Sequence, residues 1–150
     1  MHTHTEKVFS PYSKEQLFAL VMDIEKYPEF LPWCSNAKII KKESDDLLYA
    51  DLTINFKRFF HSYTSKITIL ESKTVSEHFY EINVEMTNGP FKKLHNKWRF
   101  DDTDNGSYIS FFIDLELKSS FFNIMLNFIF DHSYKKMLRA FENRAKEIYA

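Results

Sequence analysis

Between about Asn36 and Lys118 the chain alternates apolar and polar residues with a period of two. Leu48, Ala50, Leu52, Ile54 and Phe56 alternate with Tyr49, Asp51, Thr53 and Asn55. His78, Tyr80, Ile82, Val84 and Met86 do so with Phe79, Glu81, Asn83 and Glu85, and Ile109, Phe111, Ile113, Leu115 and Leu117 with Tyr108, Ser110, Phe112, Asp114 and Glu116. This pattern predicts strands with one buried and one wetter face. Turn-forming clusters at 43–46, Lys57-Arg58, 71–76, Asn88-Gly89-Pro90 and 101–106 divide the region. Connections this short predict an antiparallel meander of six strands. Residues 3–9 read as a short earlier strand.

The flanks carry helical spacing. Ser13 is placed to cap a helix, with Gln16 at the capping-box position, and Leu17, Phe18, Leu20, Val21 and Ile24 follow. The segment from Tyr27 to Trp33 predicts a second short helix or turn, because Pro28 and Pro32 prevent a long one. Ser119 or Ser120 caps a final helix over 121–148, about 40 Å long. Phe130, Tyr134, Met137, Leu138, Phe141, Ala145 and Ile148 form one side of its second half, while its first half is apolar nearly all round. A meander with one buried face needs a cover, and this helix is the large one available. The expected fold class is α+β: a helix grip, in which a curved antiparallel sheet closes around a long C-terminal helix, with two short helices after the first strand.

The 150 residues suit one domain, 1–150, that buries roughly 70% of its unfolded surface. A formal net charge of −1 argues against a general nucleic-acid coat, and no DNA partner is expected. The single cysteine, Cys34, suits a reducing compartment. The N-terminus lacks an apolar signal core, and the most apolar run, 121–130, is broken by Asn123 and Asn127. The expectation is a cytoplasmic protein or a processed organelle protein.

Two stretches carry a resemblance: Tyr27-Pro28-Glu29-Phe30-Leu31-Pro32-Trp33-Cys34 and Gly89-Pro90-Phe91-Lys92-Lys93-Leu94-His95-Asn96-Lys97-Trp98-Arg99-Phe100. With Phe9-Ser10 and Tyr12-Ser13 they make the chain similar to the coenzyme-Q-binding START-domain family, which also includes the bacterial ribosome-association toxin. The resemblance implies a START/Bet v 1-like fold, a bound hydrophobic ligand such as ubiquinone, a supporting role in respiratory electron transport, and no catalytic residues or catalytic cofactor. It equally accommodates the other family role, binding a ribosomal subunit and blocking subunit joining and translation. A quinone role would place the protein peripherally at the inner membrane, on the matrix side in a mitochondrion.

Strand parity and helix facing select the candidate cavity: Leu52, Ile54, Tyr63, Ile82, Val84, Leu94, Trp98, Phe111 and Ile113 from the sheet, with Met125, Phe128 and Ile129 from the helix. These residues either line a ligand site or simply fill the core. His61, Tyr63 and Ser65 share the inward parity of their strand, to bond a quinone carbonyl or one another. Trp98 could stack on a quinone ring, whereas Trp33 reads better as a plug between the short helices and the sheet.

Alternate turns of a meander lie at one end. That end gathers Lys57, Arg58, Phe59, Phe60, Phe91, Lys92, Lys93, Lys118, Phe121 and Phe122, while Glu43, Asp45, Asp46, Glu71, Asp101, Asp102 and Asp104 gather at the other. Cations interleaved with aromatic rings suit an anionic membrane surface or ribosomal RNA. Equally, charged turns are usual and some of the rings could point inward. Catalytic chemistry is thinly represented. Cys34 has no histidine nearby in sequence, His2 and His4 sit on one face of a terminal strand, and Asp131-His132 are helix neighbours that do not share a face. No metalloprotease, P-loop, dinucleotide-binding or paired-cysteine zinc motif occurs.

Overall fold

The structure is a computed structural model that describes residues 2–56, 59–118 and 133–149. Seven strands form one antiparallel sheet: β1 (His2–Ser10), β2 (Cys34–Ser44), β3 (Leu47–Phe56), β4 (Phe59–Lys73), β5 (His78–Asn88), β6 (Lys93–Thr103) and β7 (Gly106–Glu116). Their spatial order is β1-β7-β6-β5-β4-β3-β2, so the predicted six-strand meander is continuous and β1 adds to its far edge. Between β1 and β2 come helix α1 (Lys14–Met22) and a 3₁₀ helix (Ile24–Glu29), and the chain ends in helix α2 (Ser133–Tyr149).

The start of α1 follows from its sequence. Ser13 Oγ accepts from the Gln16 backbone N–H at 3.2 Å and the Gln16 side chain accepts from the Ser13 N–H at 3.0 Å, closing the capping box. Leu17, Leu20 and Val21 are buried, and Phe18 stacks on Tyr80 of β5 at 4.2 Å. The second helix begins three residues earlier than the sequence suggested and is 3₁₀, with Pro28 inside it. Tyr27 anchors it through a hydroxyl bond to the Val21 carbonyl.

Gly106 is needed where β7 starts. Its φ is +155°, and a Cβ there would stand 2.2 Å from the Ser10 carbonyl oxygen. The close approach lets β1 pair in register, from Ser10↔Ser107 to His2↔Leu115. The other edge strand, β2, is irregular in three places and exposes Lys38, Lys41 and Lys42, devices that discourage pairing with other chains.

The main core joins α1, the sheet and α2 through residues such as Leu20, Ala50, Ile82, Phe100 and Phe141. Along α2, Leu138, Phe141 and Ala145 are buried as the spacing predicts. Ile148 is not: it is 47% exposed. Tyr149 follows Ala145 by four residues and Leu138 by eleven, and so lies on the buried face of the helix, about 100° round from Ile148. Tyr149 takes the inward place because its ring packs on Tyr12 and its hydroxyl donates to the Gln16 carbonyl at 2.8 Å. A smaller cluster of Ile54, Phe91, Leu94 and Leu115 lies toward the end of the sheet that holds the β5–β6 turn.

Candidate functional site

Between the sheet and the helices lies a cavity of about 100 Å³. β3 contributes Leu52 and Ile54, β4 contributes Tyr63, Ser65 and Ile67, β5 contributes Ile82 and Val84, and β6 contributes Asn96 and Trp98. Val21, Met22, Ile24, Tyr27 and Leu31 close it from the side of α1 and the 3₁₀ helix, Met137 and Phe141 from α2. Trp33 and Cys34 reach it from the start of β2. Both tryptophans of the chain therefore face the same space.

Of the candidates read from the sequence, the structure brings Leu52, Ile54, Tyr63, Ile82, Val84 and Trp98 together around this cavity. Leu94, Phe111 and Ile113 are not among its lining residues. Leu94 belongs to the smaller cluster, and Ile113 packs against both clusters. Phe111 is buried against Trp98, with ring centroids 4.7 Å apart, so the larger indole presents its surface to the cavity instead. Shared strand parity puts these side chains on the inner face, but β7 lies beyond the Trp98 wall. Met125, Phe128, Ile129, Phe121, Phe122, Asp131 and His132 fall outside the described residues, as do Lys57, Arg58 and the side chain of Phe59.

Trp33 is half-buried; it lines the cavity and also packs against the smaller cluster, more than a plug. Ser65 and Tyr63 face the cavity, whereas His61, two residues on, is exposed and does not line it. The lining residues that sequence reasoning missed are chiefly Asn96, which shares the parity of Leu94 and Trp98, and the inner surfaces of α1 and α2, read only as core.

The polar groups at the cavity have distinct states. Burial pushes the Tyr63 hydroxyl well above the ordinary tyrosine range, and that of Tyr27 likewise. The Cys34 thiol is pushed up to about 11 by burial and donates weakly to the Asn36 carbonyl at 3.5 Å. It is a neutral thiol, unsuited to nucleophilic attack at neutral pH. Among the described residues no group of three or more His, Cys, Asp or Glu is arranged to hold a metal ion.

The charged ends of the sheet are less one-sided than the sequence suggested. Phe60 is 65% exposed, but Phe91 is 3% exposed, turned inward against Tyr63 with centroids 6.1 Å apart, and so is not a surface residue. Its turn has to fold over the sheet, because Gly89 sits against the Tyr63 Cβ. Lys92 and Lys118 are exposed, while Lys93 is bound to Asp114 at 2.8 Å. At the other end Glu43, Glu71 and Asp101 each pair with a cation on their own strand: Lys41, Lys73 and Arg99.

Residues 10–142 match the family described as polyketide cyclase/dehydrase and lipid transport. The chain belongs to this family. A ribosome association toxin, RatA, of Rickettsia prowazekii is 34% identical over 139 residues, covering 92% of each chain. The mitochondrial coenzyme Q-binding protein COQ10 of Dictyostelium discoideum is 30% identical over 142 residues, covering 92% of this chain and 66% of its own. Among solved structures, a START superfamily protein from Mycobacterium smegmatis superposes with a TM-score of 0.77 at 16% identity, covering 99% of both chains. The Zhui aromatase/cyclase of Streptomyces sp. R1128 gives 0.77 at 12% identity, covering 97% of this chain and 93% of the other. These two likenesses establish the START/Bet v 1-like fold, which by itself does not decide between a binding protein and an enzyme. No helix among the described residues is long and apolar enough to cross a membrane.

Proposed function

We propose that this chain is a non-enzymatic binding protein that holds an isoprenoid quinone, or a closely related lipid, between the sheet and α2 in support of respiratory electron transfer. The observation that carries the reading is the cavity itself: largely apolar walls from five strands and three helices, two tryptophans, and a few polar groups. Such a lining holds a ring and an apolar tail and fixes their orientation. The relative named as a coenzyme Q-binding protein supports the ligand class.

The energetics are sufficient. One five-carbon isoprene unit contributes roughly 3–4 kcal/mol at about 0.8 kcal/mol per buried CH₂. After ordering costs, a few units support about micromolar binding. The space of about 100 Å³ is smaller than the roughly 150 Å³ that accepts a benzene ring, so a quinone must part the helices from the sheet as it enters. The exposed Phe60, Lys92 and Lys118, at the end bearing the β5–β6 turn, suit contact with the anionic membrane from which such a lipid comes.

A second reading rests on the relative named as a ribosome association toxin, which matches over nearly the whole chain: the protein binds a ribosomal subunit and blocks subunit joining. One preparation separates the two. Protein purified from a quinone-producing bacterium is extracted with organic solvent and the extract identified by mass spectrometry. Near-stoichiometric isoprenoid quinone is the expected result. A lipid-free extract together with co-sedimentation on ribosomal subunits would reverse the order of the readings.

A further inference from the structure

Ser65 is fully buried, lines the cavity, and its Oγ has no hydrogen-bond partner among the described residues. An unpaired hydroxyl at such depth is costly, and native cores rarely leave one. The β4–β5 register steps from Thr64↔Asn88 to Ser65↔Met86, so the extra residue is Thr87 on β5, while β4 runs unbroken against β3 with Ser65 opposite Ala50.

Another polar group on this wall is the half-buried Asn96 of β6, whose carboxamide also makes no hydrogen bond to any described residue. The two cannot satisfy each other. Ser65 is opposite Met86, and Asn96 is opposite Val84, so β5 runs between them and they are offset by two residues along it. From strand spacing and rise, their backbones are roughly 12 Å apart on a diagonal. Ile82, Val84 and Trp98 supply the apolar surface around and between them.

We infer that Ser65 and Asn96 form a two-point hydrogen-bonding clamp for the oxygens of a ring-bearing ligand, making the cavity selective for an oxygenated ring over a hydrocarbon of the same shape. This rests on the lipid-binding reading and adds the chemical feature that is recognised. The Ser65 hydroxyl donates to one ligand oxygen and the Asn96 amide N–H₂ donates to the other. An occupant without those oxygens leaves the buried Ser65 hydroxyl unpaired and covers the half-buried Asn96 carboxamide without replacing its water, which is how a polar site rejects an apolar isostere.

The test uses the whole chain and two probes of one shape: duroquinone, a tetramethylated ring with two carbonyl oxygens, and durene, the tetramethylated hydrocarbon ring. Isothermal titration gives both affinities for the unaltered chain, Ser65→Ala and Asn96→Ala. Ser65→Ala is expected to weaken duroquinone about tenfold, the effect of one hydrogen bond in an apolar site, and to leave durene within about twofold. It is also expected to raise the melting temperature of the unliganded protein, because the orphan hydroxyl is gone. Asn96→Ala should repeat the selective loss. If both variants treat the two probes alike while the unaltered chain binds both, the clamp is wrong and the cavity merely apolar. If the unaltered chain binds neither, the lipid-binding reading falls and the clamp falls with it. A selective loss without a rise in melting temperature would mean that Ser65 already has a partner in the empty protein, such as a fixed water, and would overturn the orphan argument.

Discussion

Trp98 on β6 and Phe141 on α2 meet with ring centroids 5.0 Å apart and ring planes at 70°, an edge-to-face contact that fastens the helix to the sheet at the rim of the cavity. Phe141 also packs edge-to-face on Tyr27 at 5.4 Å and on Phe30 at 5.1 Å, so one side chain joins three elements. Aromatic pairs in this geometry add to the stabilisation that area burial supplies.

Phe141→Ala should therefore be severe. Truncating a buried phenylalanine costs about 3–5 kcal/mol, and here the void opens onto space that already exists. Urea unfolding of the variant should show that loss, whereas Ile148→Ala, on the exposed side of the same helix, should change stability by less than about 0.5 kcal/mol.

The Lys93–Asp114 pair ties β6 to β7 and makes stability depend on pH. The hydrogen bond from Lys93 holds the Asp114 carboxyl below the usual carboxylate range, and the same bond raises the Lys93 ammonium above its ordinary value. A depressed carboxyl contributes stability that is present above its unfolded value and disappears as pH falls through the folded one. A raised ammonium contributes stability present below its unfolded value of 10.5 and lost as pH rises through the folded one. Asp114→Asn should thus melt below the unaltered chain at pH 7, and the difference should close as pH falls through and below about 4. A difference independent of pH would remove the ion pair as its cause.

Cys34 offers a chemical report on the cavity. Its thiol is buried and raised to about 11, so alkylation by iodoacetamide at pH 7.5 should be far slower in the folded chain than in urea. Because Cys34 lines the cavity, a short-tailed ubiquinone should slow it further, read by intact mass.

The sheet was legible because period-two alternation and turn clusters are local signals, and the strand order follows once every connection is short. The capping box at Ser13 and Gln16 was equally local. The cavity was legible only in part. Parity identifies the inner face but not where along it space is left, so Leu94 and Phe111 read like Ile82 and Val84. What separates them is the size of Trp98 and the placement of α2, both products of tertiary packing. Phe91 reads as exposed from its place in a turn, whereas Gly89 lets that turn fold onto Tyr63 and carries the ring inward. Asn96 drew no notice because a single polar residue among apolar neighbours carries no pattern.

The central claim, that the space between sheet and α2 binds a quinone-type lipid, is most directly tested through the two tryptophans that line it. Titration with a short-tailed ubiquinone, followed by tryptophan emission, should show saturable quenching with a 1:1 midpoint in the micromolar range. Val84→Phe, which fills the cavity from β5, should abolish the saturable phase while retaining the fold. Quenching that rises without saturation, or that is identical in the filled variant, would contradict the account.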